Sequence, residues 1–568
     1  MQRTTASRRP TMIKIDDIIA LLRIGTQRQY NARELHTMNA TIELHVTSLF
    51  GQDFDYQLIP NTNGELSLYY PRRILLPTID KWSNISTSKI QATIDVRDLF
   101  VRSRIARCRS RFVVPVILLD GKYICRSSTV ASWGEVYSRS GVDRLLETGN
   151  RTTNPSIIDS TTNPTAVTND LDGPPTIAIV GAAAAAAAAA ASASSSNVEV
   201  PQQNIFDKLR GADIDLLKIL DVSSIVNLMV EKRKTMFGVS VTSSENSDKE
   251  NRYRDFQLLI LPYPGCEHFR DFSIQKYNGE LMFYDWSLPI NDSSFQVPEY
   301  LSSRVQTDWS FWKSWNSIDL TKNYFQLILR HLETNDHGLL IHCISGWDRT
   351  PLFICLLRLS LWADGWIHQS LTVEEILYLT LAYDWYLFGH CLPERLLRGE
   401  EILYFAFMIL PHLVSNEFVY KQPNNASNPQ LTTVSDITES IYSISALSDF
   451  ENLSSNSSSL ANIHENSTIN FNRNSDDISF NQNIDFNAPE TNENLDSIPS
   501  TIRKEKLLAV SQLFQLCYRT VIPNRPPTTT SNTNLLADSL SSFNPRPIGR
   551  EIARSINNFI GQWRTQPR

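Results

Sequence analysis

The 568-residue chain lacks several features that mark common functional classes. Its seven cysteines are scattered and none forms a Cys-x-x-Cys pair, so zinc ribbons and disulfide frameworks are not expected. The net charge is −7, which predicts no general attraction to nucleic acid, and no nucleic-acid partner is expected. Residues 1–11 carry three arginines with no apolar run after them, so no secretory signal is expected. We predict a cytoplasmic protein that needs neither a metal nor a cofactor.

Long apolar runs are also scarce. The one membrane-like stretch is 177–193, which is dominated by ten successive alanines at 182–191. Alanine is only weakly apolar, and a membrane-spanning helix needs about 20 predominantly apolar residues. Because a Pro-Pro pair precedes the stretch and a serine run follows it, we interpret it as a low-complexity insert.

The most informative segment is 339–350, which reads Leu-Leu-Ile-His-Cys-Ile-Ser-Gly-Trp-Asp-Arg-Thr. An apolar, strand-like run leads into it and a helical pattern leads out, so its loop would lie where backbone N–H groups and a helix dipole converge on an anion. Positive potential there would hold Cys343 as a thiolate, and Arg349 could bind two phosphate oxygens. The pattern predicts a cysteine-dependent phosphatase; the alternative is an inert buried cysteine with a helix-capping arginine.

Residues 342–353 resemble the active-site loop of the myotubularins, a family of phosphoinositide 3-phosphatases. Further stretches that resemble this family lie at 59–64, 106–112, 262–267 and 382–390. The resemblance implies hydrolysis of the 3-phosphate of phosphatidylinositol 3-phosphate and phosphatidylinositol 3,5-bisphosphate. It also implies a protein that is peripherally associated with membranes and opposes 3-phosphoinositide signalling in endosomal and autophagic membranes.

Alternating strand-like and helix-like segments predict an α/β fold, with a cysteine-phosphatase-like central parallel sheet flanked by helices. We expect strands around 42–70 and 111–125 and at 225–230, 256–261 and 339–343, and helices at 319–332, 352–363 and 374–387. Composition divides the chain into a loose tail (1–30), a mixed α+β domain (31–150), a low-complexity linker (151–202), a phosphatase domain (203–420), a disordered Asn/Ser-rich segment (421–500), a helix (501–522), a linker (523–545) and a basic amphipathic helix (546–568).

The residue types predict a mechanism with a phosphocysteine intermediate, in which Cys343 is the nucleophile. Thr350 would donate a hydrogen bond to its sulfur, and His342 would have a structural role. Two carboxyl groups are candidates for the acid that protonates the leaving group: Asp348, where myotubularins carry their proposed acid, and Glu267, in a loop that resembles the acid loop of dual-specificity phosphatases. We favour Asp348. The substrate phosphate would be bound by the loop itself, Ile344, Ser345, Gly346, Trp347, Asp348 and Arg349.

Two departures from the family pattern concern substrate preference. Typical myotubularins have Ser-Asp where this chain has Ile344-Ser345, and an arginine where it has Cys391. A second family arginine falls at the offset of Arg395, which makes Arg395 a candidate ligand of a substrate phosphate; the alternative is a surface arginine on a helix. The preference for the bisphosphate therefore stays open.

The C-terminal residues form a separate pattern. Apolar side chains recur at helical spacing over 546–568, accompanied by five arginines and opposed by one glutamate. This pattern predicts a basic amphipathic helix that binds an anionic membrane surface, or one that packs back on the protein. The alternatives for the whole chain are a protein tyrosine or dual-specificity phosphatase and an inactive phosphatase-fold scaffold.

Overall fold

A computed structural model of the chain describes residues 12–83, 96–132, 200–232, 235–236, 239–240, 244–248, 250–421 and 497–522. The described residues belong to one compact unit. Their strands are β1 (Phe54–Pro60), β2 (Arg73–Asp80), β3 (Val114–Leu119), β4 (Lys122–Ser128), β5 (Val222–Asn227), β6 (Thr235–Met236), β7 (Val239–Ser240), β8 (Gln257–Ile260) and β9 (Gly338–Cys343). Their helices are α1 (Ile15–Gln27), α2 (Thr37–Asp53), α3 (Val96–Ser103), α4 (Val200–Ile219), α5 (Asp271–Ile274), α6 (Glu299–Ser302), α7 (Ser317–Thr334), α8 (Arg349–Ala363), α9 (Val373–Leu379), α10 (Leu392–Arg398), α11 (Ile402–Met408) and α12 (Ser497–Val521).

The central sheet has the order β3-β4-β9-β5-β8. Its strands β4, β9, β5 and β8 are parallel, whereas β3 pairs antiparallel with β4 at one edge. The α/β prediction is confirmed; the predicted central parallel sheet corresponds to β4, β9, β5 and β8, and the antiparallel β3 makes the whole sheet mixed. The reason is local: Asp120 and Gly121 between β3 and β4 both have positive φ, which closes a tight hairpin.

The strand at the centre of this sheet is β9, and all six of its residues are buried. Strands that are covered on both faces are near-continuously apolar, as the Leu-Leu-Ile run of β9 is. The register pairs the last residue of β9, Cys343, with Ser128 at the end of β4. The carboxyl ends of the parallel strands therefore meet where β9 gives way to the loop before α8.

The helices that flank the site follow the predicted pattern closely. The expected helices at 319–332 and 352–363 correspond to α7 and α8, and every residue of α8 is buried. The helix expected at 374–387 begins as α9 and continues as a π-helical segment, Thr380–Tyr386. Such wide turns are rare and often occur at functional sites.

The N-terminal region differs most from expectation. A loose tail was expected through residue 30, but α1 buries Ile18, Leu21 and Leu22 and contacts α12, which lies far along the chain. A strand was expected from about residue 42, but α2 extends to Asp53 and β1 begins only afterwards. The region is also not a separate domain, because it supplies β3 and β4 to the central sheet beside β9.

The helix predicted at 501–522 is present as α12. Helix α4 begins at Val200, within the last three residues of the linker predicted at 151–202. The poly-alanine insert, most of the Asn/Ser-rich segment, the 523–545 linker and the amphipathic helix at 546–568 lie outside the described residues. Within the described ranges, no helix is both long enough and apolar enough to cross a membrane.

Candidate active site

The loop between β9 and α8 begins with Cys343, which is buried at the carboxyl edge of the sheet. The backbone N–H of Gly346 donates to the Cys343 sulfur over 3.2 Å, so the loop curls around that atom. Gly346 has φ +70°, and a Cβ at this position would lie 2.6 Å from the carbonyl oxygen of Ser127. Only glycine fits both the conformation and the space, which explains this residue in the motif.

Arg349 is the first residue of α8 and is also buried. Its Nη1 donates to the carbonyl oxygens of Leu228 (2.9 Å) and Tyr263 (3.0 Å), which follow β5 and β8. Within the described part of the chain, Nε and Nη2 bond no protein atom, which leaves one edge of the guanidinium for a ligand. Burial lowers the pKa of Arg349, but negative charge on Cys343 and nearby carboxylates raises the pKa more, so the group stays charged.

Two further arginines hold the loop from the protein interior. The Nη2 atoms of Arg111 and Arg126 donate to the carbonyl oxygen of Gly346 over 3.1 and 2.9 Å. Both side chains are fully buried, and burial lowers the pKa of Arg111 to about 9, with the charge of Arg126 adding to this effect. Both also interact electrostatically with Cys343, so the sulfur faces positive charge from several directions.

His342 precedes the cysteine and is completely buried. Its Nε2 lies 3.0 Å from a carboxylate oxygen of Glu245, whose other oxygen accepts from Nη1 of Arg107 over 2.6 Å. Burial raises the pKa of Glu245, but His342 and Arg107 outweigh burial and hold it well below its usual range. These contacts link the end of β9 to Glu245 and Arg107, and the structural role of His342 stays a prediction.

Asp348 closes the loop just before Arg349, and its carboxylate is buried and well paired. One oxygen lies 3.1 Å from Nδ1 of His390 and 3.1 Å from Nε of Arg395, and the other lies 3.1 Å from Nη2 of Arg395. Burial raises the pKa of Asp348. The hydrogen bond from His390 and the charge of Arg395 lower the pKa by more than burial raises it, so it lies well below its usual range. The carboxyl group is therefore ionised in this arrangement.

Arg395 lies on α10 and is directed at the loop rather than at the protein surface. Besides Asp348, its guanidinium contacts Glu400, with Nη1 2.5 Å from Oε2. A second arginine, Arg270, pairs with the other oxygen of Glu400. Arg395 is thus held between two carboxylates, and its contacts orient Asp348.

Glu267, the other acid candidate, follows Gly265 in the loop after β8 and is exposed. A Cβ on Gly265 would lie 2.3 Å from a carboxylate oxygen of Glu267, so the side chain folds back over the glycine. Its charge acts on Arg349, and so does that of Glu231, which sequence reasoning did not single out. Glu267 therefore lies near enough to Arg349 for its charge to act on that residue.

The remaining loop residues are arranged as follows. Ile344 and Ser345 are half-buried, and the Ser345 hydroxyl accepts weakly from the N–H of Trp347 over 3.4 Å. The Thr350 hydroxyl is buried and bonds no partner among the described residues, so the expected bond to the Cys343 sulfur is not formed there. In the described ranges, no group of three or more His, Cys, Asp or Glu side chains could hold a metal ion.

Sequence reasoning missed Arg111, Arg126 and His390 as parts of the site. Arg111 belongs to the 106–112 stretch that carries part of the family resemblance, and His390 belongs to the 382–390 stretch. The resemblance of those stretches to the family indicates that they matter for its function, but it does not indicate what Arg111 or His390 does. The three side chains all contact the loop 343–350. For Arg111 and Arg126, that loop lies more than 200 residues away in the chain.

The sheet is mixed, its central strand ends in a Cys-x5-Arg loop, and a buried helix follows the loop at once. No protein-family model matches the chain. It is, however, 43% identical over 417 residues to phosphatidylinositol-3,5-bisphosphate 3-phosphatase MTMR14 of Mus musculus, covering 72% of this chain and 59% of that protein. It is 42% identical over 406 residues to the Homo sapiens protein of the same name, covering 70% of this chain and 58% of that protein.

A myotubularin-related protein of Dictyostelium discoideum is 32% identical over 108 residues, which is 17% of this chain and 8% of that protein. Over about 70% of its length, the chain is thus similar to proteins of the myotubularin-related kind. It spans less than two thirds of the length of its mouse and human relatives.

Proposed function

We propose that the protein is a phosphoinositide 3-phosphatase that removes the 3-phosphate from phosphatidylinositol 3-phosphate and phosphatidylinositol 3,5-bisphosphate. The observation that carries the proposal is the loop that wraps the buried Cys343 sulfur and presents one edge of Arg349 beside it. The names of the mouse and human relatives, which specify a 3-phosphatase of the bisphosphate, support the choice of substrate.

In the proposed reaction, the Cys343 thiolate attacks phosphorus, a sulfur–phosphorus bond forms, and the bond from phosphorus to the inositol oxygen breaks. The open edge of Arg349 binds equatorial phosphate oxygens, where negative charge develops, together with N–H groups of the loop. Water then hydrolyses the phosphocysteine and releases inorganic phosphate. Arg111 and Arg126 contribute by fixing the Gly346 carbonyl, which keeps the loop in shape before substrate arrives.

The inositol oxygen must gain a proton as it leaves, and we assign this proton to Asp348. His390 and Arg395 stabilise the charged form of this group and hold its pKa well below the usual range. A phosphate dianion in the loop would oppose this, since a nearby like charge favours the protonated carboxyl. Asp348 would therefore take up a proton as substrate binds. Arg395 acts as a positioning residue for Asp348, and Glu267 remains the second candidate for the acid.

Access to a lipid substrate requires the protein to reach a membrane. We propose that residues 546–568 provide this contact as a basic amphipathic helix, in a cytoplasmic protein that acts on endosomal and autophagic membranes. Each arginine near an anionic surface contributes about 1 kcal/mol, and this segment has five against one glutamate. Deleting 546–568 should weaken binding to anionic liposomes while activity on a short-chain soluble lipid is retained. Loss on the soluble lipid as well would show that the segment packs on the catalytic unit.

The substrate assignment is tested by measuring phosphate release from a panel of phosphoinositides beside a phosphotyrosine peptide. We expect the 3-phosphorylated lipids to be the best substrates. Faster release from the peptide than from any 3-phosphorylated lipid would identify a protein tyrosine or dual-specificity phosphatase. A folded protein that releases phosphate from neither would be a scaffold.

A further inference from the structure

A loop beside the candidate active site presents apolar side chains to solvent. It comprises residues 284–291, which read Tyr-Asp-Trp-Ser-Leu-Pro-Ile-Asn, and we call it the rim loop. Leu288 and Ile290 near its tip are 41% and 54% exposed, and no charged residue lies within 286–290. Neighbouring apolar side chains that stay exposed beside a cleft mark an interaction surface.

The rim loop lies at the carboxyl edge of the central sheet, where the loop that begins with Cys343 also lies. The Tyr284 ring packs edge-on against His268, in the loop after β8, with 5.4 Å between the ring centroids. Just past the rim loop, the N–H of Ser293 donates over 3.0 Å to the carbonyl oxygen of Val230, in the segment after β5. The segments after β5 and β8 are also the two whose carbonyl oxygens accept from Nη1 of the catalytic arginine. The rim loop therefore borders the cleft that holds the reacting groups.

Contacts at the base of the rim loop fix its shape. The Tyr284 hydroxyl donates to Oδ1 of Asn291 over 3.0 Å, which joins the first residue of the loop to the last. The N–H of Asn291 donates to the Leu288 carbonyl over 2.9 Å, which closes the turn at the tip. Below the tip, the Trp286 ring packs against Trp312 with 4.4 Å between the ring centroids. The tip is therefore held in place before it meets a partner, so contact costs little conformational freedom.

The chemistry of the substrate indicates what covers this tip. A lipid phosphate reaches Cys343 only when the mouth of the cleft lies against a bilayer, and a loop on the border of that mouth then meets lipid as well. An uncharged, apolar tip enters the bilayer surface without removing a charge from water. We infer that the rim loop inserts Leu288 and Ile290 into the bilayer and so seats the cleft on the membrane; this inference rests on the proposed function. The segment 546–568 would bring the protein to an anionic surface, whereas the rim loop orients the cleft.

The test presents phosphatidylinositol 3-phosphate either in phosphatidylcholine vesicles or as a short-chain, soluble lipid. The double variant Leu288→Ser/Ile290→Ser should lower kcat/KM on the vesicles by about tenfold or more, because two apolar side chains are no longer transferred from water to lipid. Its kcat/KM on the soluble lipid should not change. Flotation with phosphatidylcholine vesicles that lack the substrate should show the same loss of binding. Leu44→Ser/Leu58→Ser is the matched control, since these leucines are 52% and 44% exposed but lie on α2 and β1, and its vesicle activity and binding should not change.

Three other outcomes would overturn the inference. Equal losses on vesicles and on the soluble lipid, at an unchanged melting temperature, would show that the rim loop shapes the cleft instead. Unchanged turnover and binding on vesicles would show that the tip does not enter the bilayer, and would leave another protein as its partner. An equal loss in the control would show a general effect of exposed leucines. If the unaltered protein released no phosphate from either lipid, the proposed function would fail, and flotation would still decide whether the rim loop binds lipid.

Discussion

Replacing Asp348 by asparagine distinguishes protonation of the leaving group from bracing of the loop. Asparagine has the same shape, so its carbonyl can still accept from Nδ1 of His390, which lies 3.1 Å from the carboxylate. The amide nitrogen that replaces the second oxygen cannot accept from Nη2 of Arg395, which lies 3.1 Å away. The variant therefore loses the ionisable proton and the ion pair with Arg395, and keeps one oxygen that can accept hydrogen bonds.

The expected size of the effect depends on the leaving group. A positioned general acid contributes about 10²–10⁴-fold, or roughly 3–5 kcal/mol in the barrier. An inositol alkoxide needs this proton, whereas a nitrophenolate leaves without it. Asp348→Asn should therefore slow hydrolysis of phosphatidylinositol 3-phosphate by about a hundredfold or more, and hydrolysis of an aryl phosphate by less than about tenfold.

Steady-state rates of both substrates measure this difference, and thermal unfolding reports whether the loss of the Arg395 contact has disturbed the fold. Glu267→Gln provides the comparison, because the charge of Glu267 acts on Arg349. Equal losses of Asp348→Asn on both substrates would mean that Asp348 braces the loop. A leaving-group-dependent loss in Glu267→Gln instead would assign the acid to Glu267.

Three further predictions concern the loop and its support. Arg349→Lys should lower kcat/KM on the lipid by about a hundredfold, because lysine lacks the planar fork that bonds two backbone carbonyls through Nη1 and leaves its other edge for two phosphate oxygens; activity within a few-fold of the unaltered protein would contradict this. Gly346→Ala, with φ +70° and a contact of 2.6 Å to the Ser127 carbonyl, should destabilise the fold by about 1–3 kcal/mol in denaturant melts and abolish turnover; an unchanged midpoint would contradict the tight fit. The pKa of Glu245 is depressed in the folded state, so its carboxylate stabilises the fold above the ordinary glutamate pKa of about 4.3 and loses this effect as the pH falls below it. The stability difference between the unaltered protein and Glu245→Gln should therefore shrink between pH 7 and pH 3, and a constant difference would show that the charge of Glu245 does not stabilise the fold.

The local part of the site could be predicted from sequence. The strand β9, the loop and α8 are adjacent in the chain, and an apolar run followed by a Cys-x5-Arg motif and a helical pattern specifies all three. The spacing of Cys343 and Arg349 is a local property, and the structure places them at the two ends of one loop, between β9 and α8.

The non-local part could not be predicted in the same way. The apolar residues of α1 bury against α12, whose sequence lies more than 450 residues later, and nothing near residue 20 shows that partner. Likewise, β4 pairs with β9 across about 200 residues, which places strands from the N-terminal region in the central sheet. Alternation predicts a strand but not its neighbour, because pairing depends on the tertiary fold.

The roles of the buried arginines could not be predicted from the sequence either, because they too depend on residues that are distant in the chain. Arg126 reads in sequence as an ordinary basic residue within a strand, yet its side chain is buried against the Gly346 carbonyl. Arg395 was expected on a substrate phosphate or at the surface, but its contacts are Asp348 and Glu400. The tertiary fold decides which groups a buried guanidinium contacts. Here those groups lie on loops that are distant in sequence, so the sequence alone does not show which residues will meet.

The most direct test of the account is the identity of the product formed from phosphatidylinositol 3,5-bisphosphate. The account predicts that the unaltered protein converts it to phosphatidylinositol 5-phosphate. It also predicts that Cys343→Ser, with an unchanged melting temperature, forms none, because a serine hydroxyl does not ionise in this loop. Formation of phosphatidylinositol 3-phosphate, or of the 5-phosphate by the Cys343→Ser variant, would contradict it.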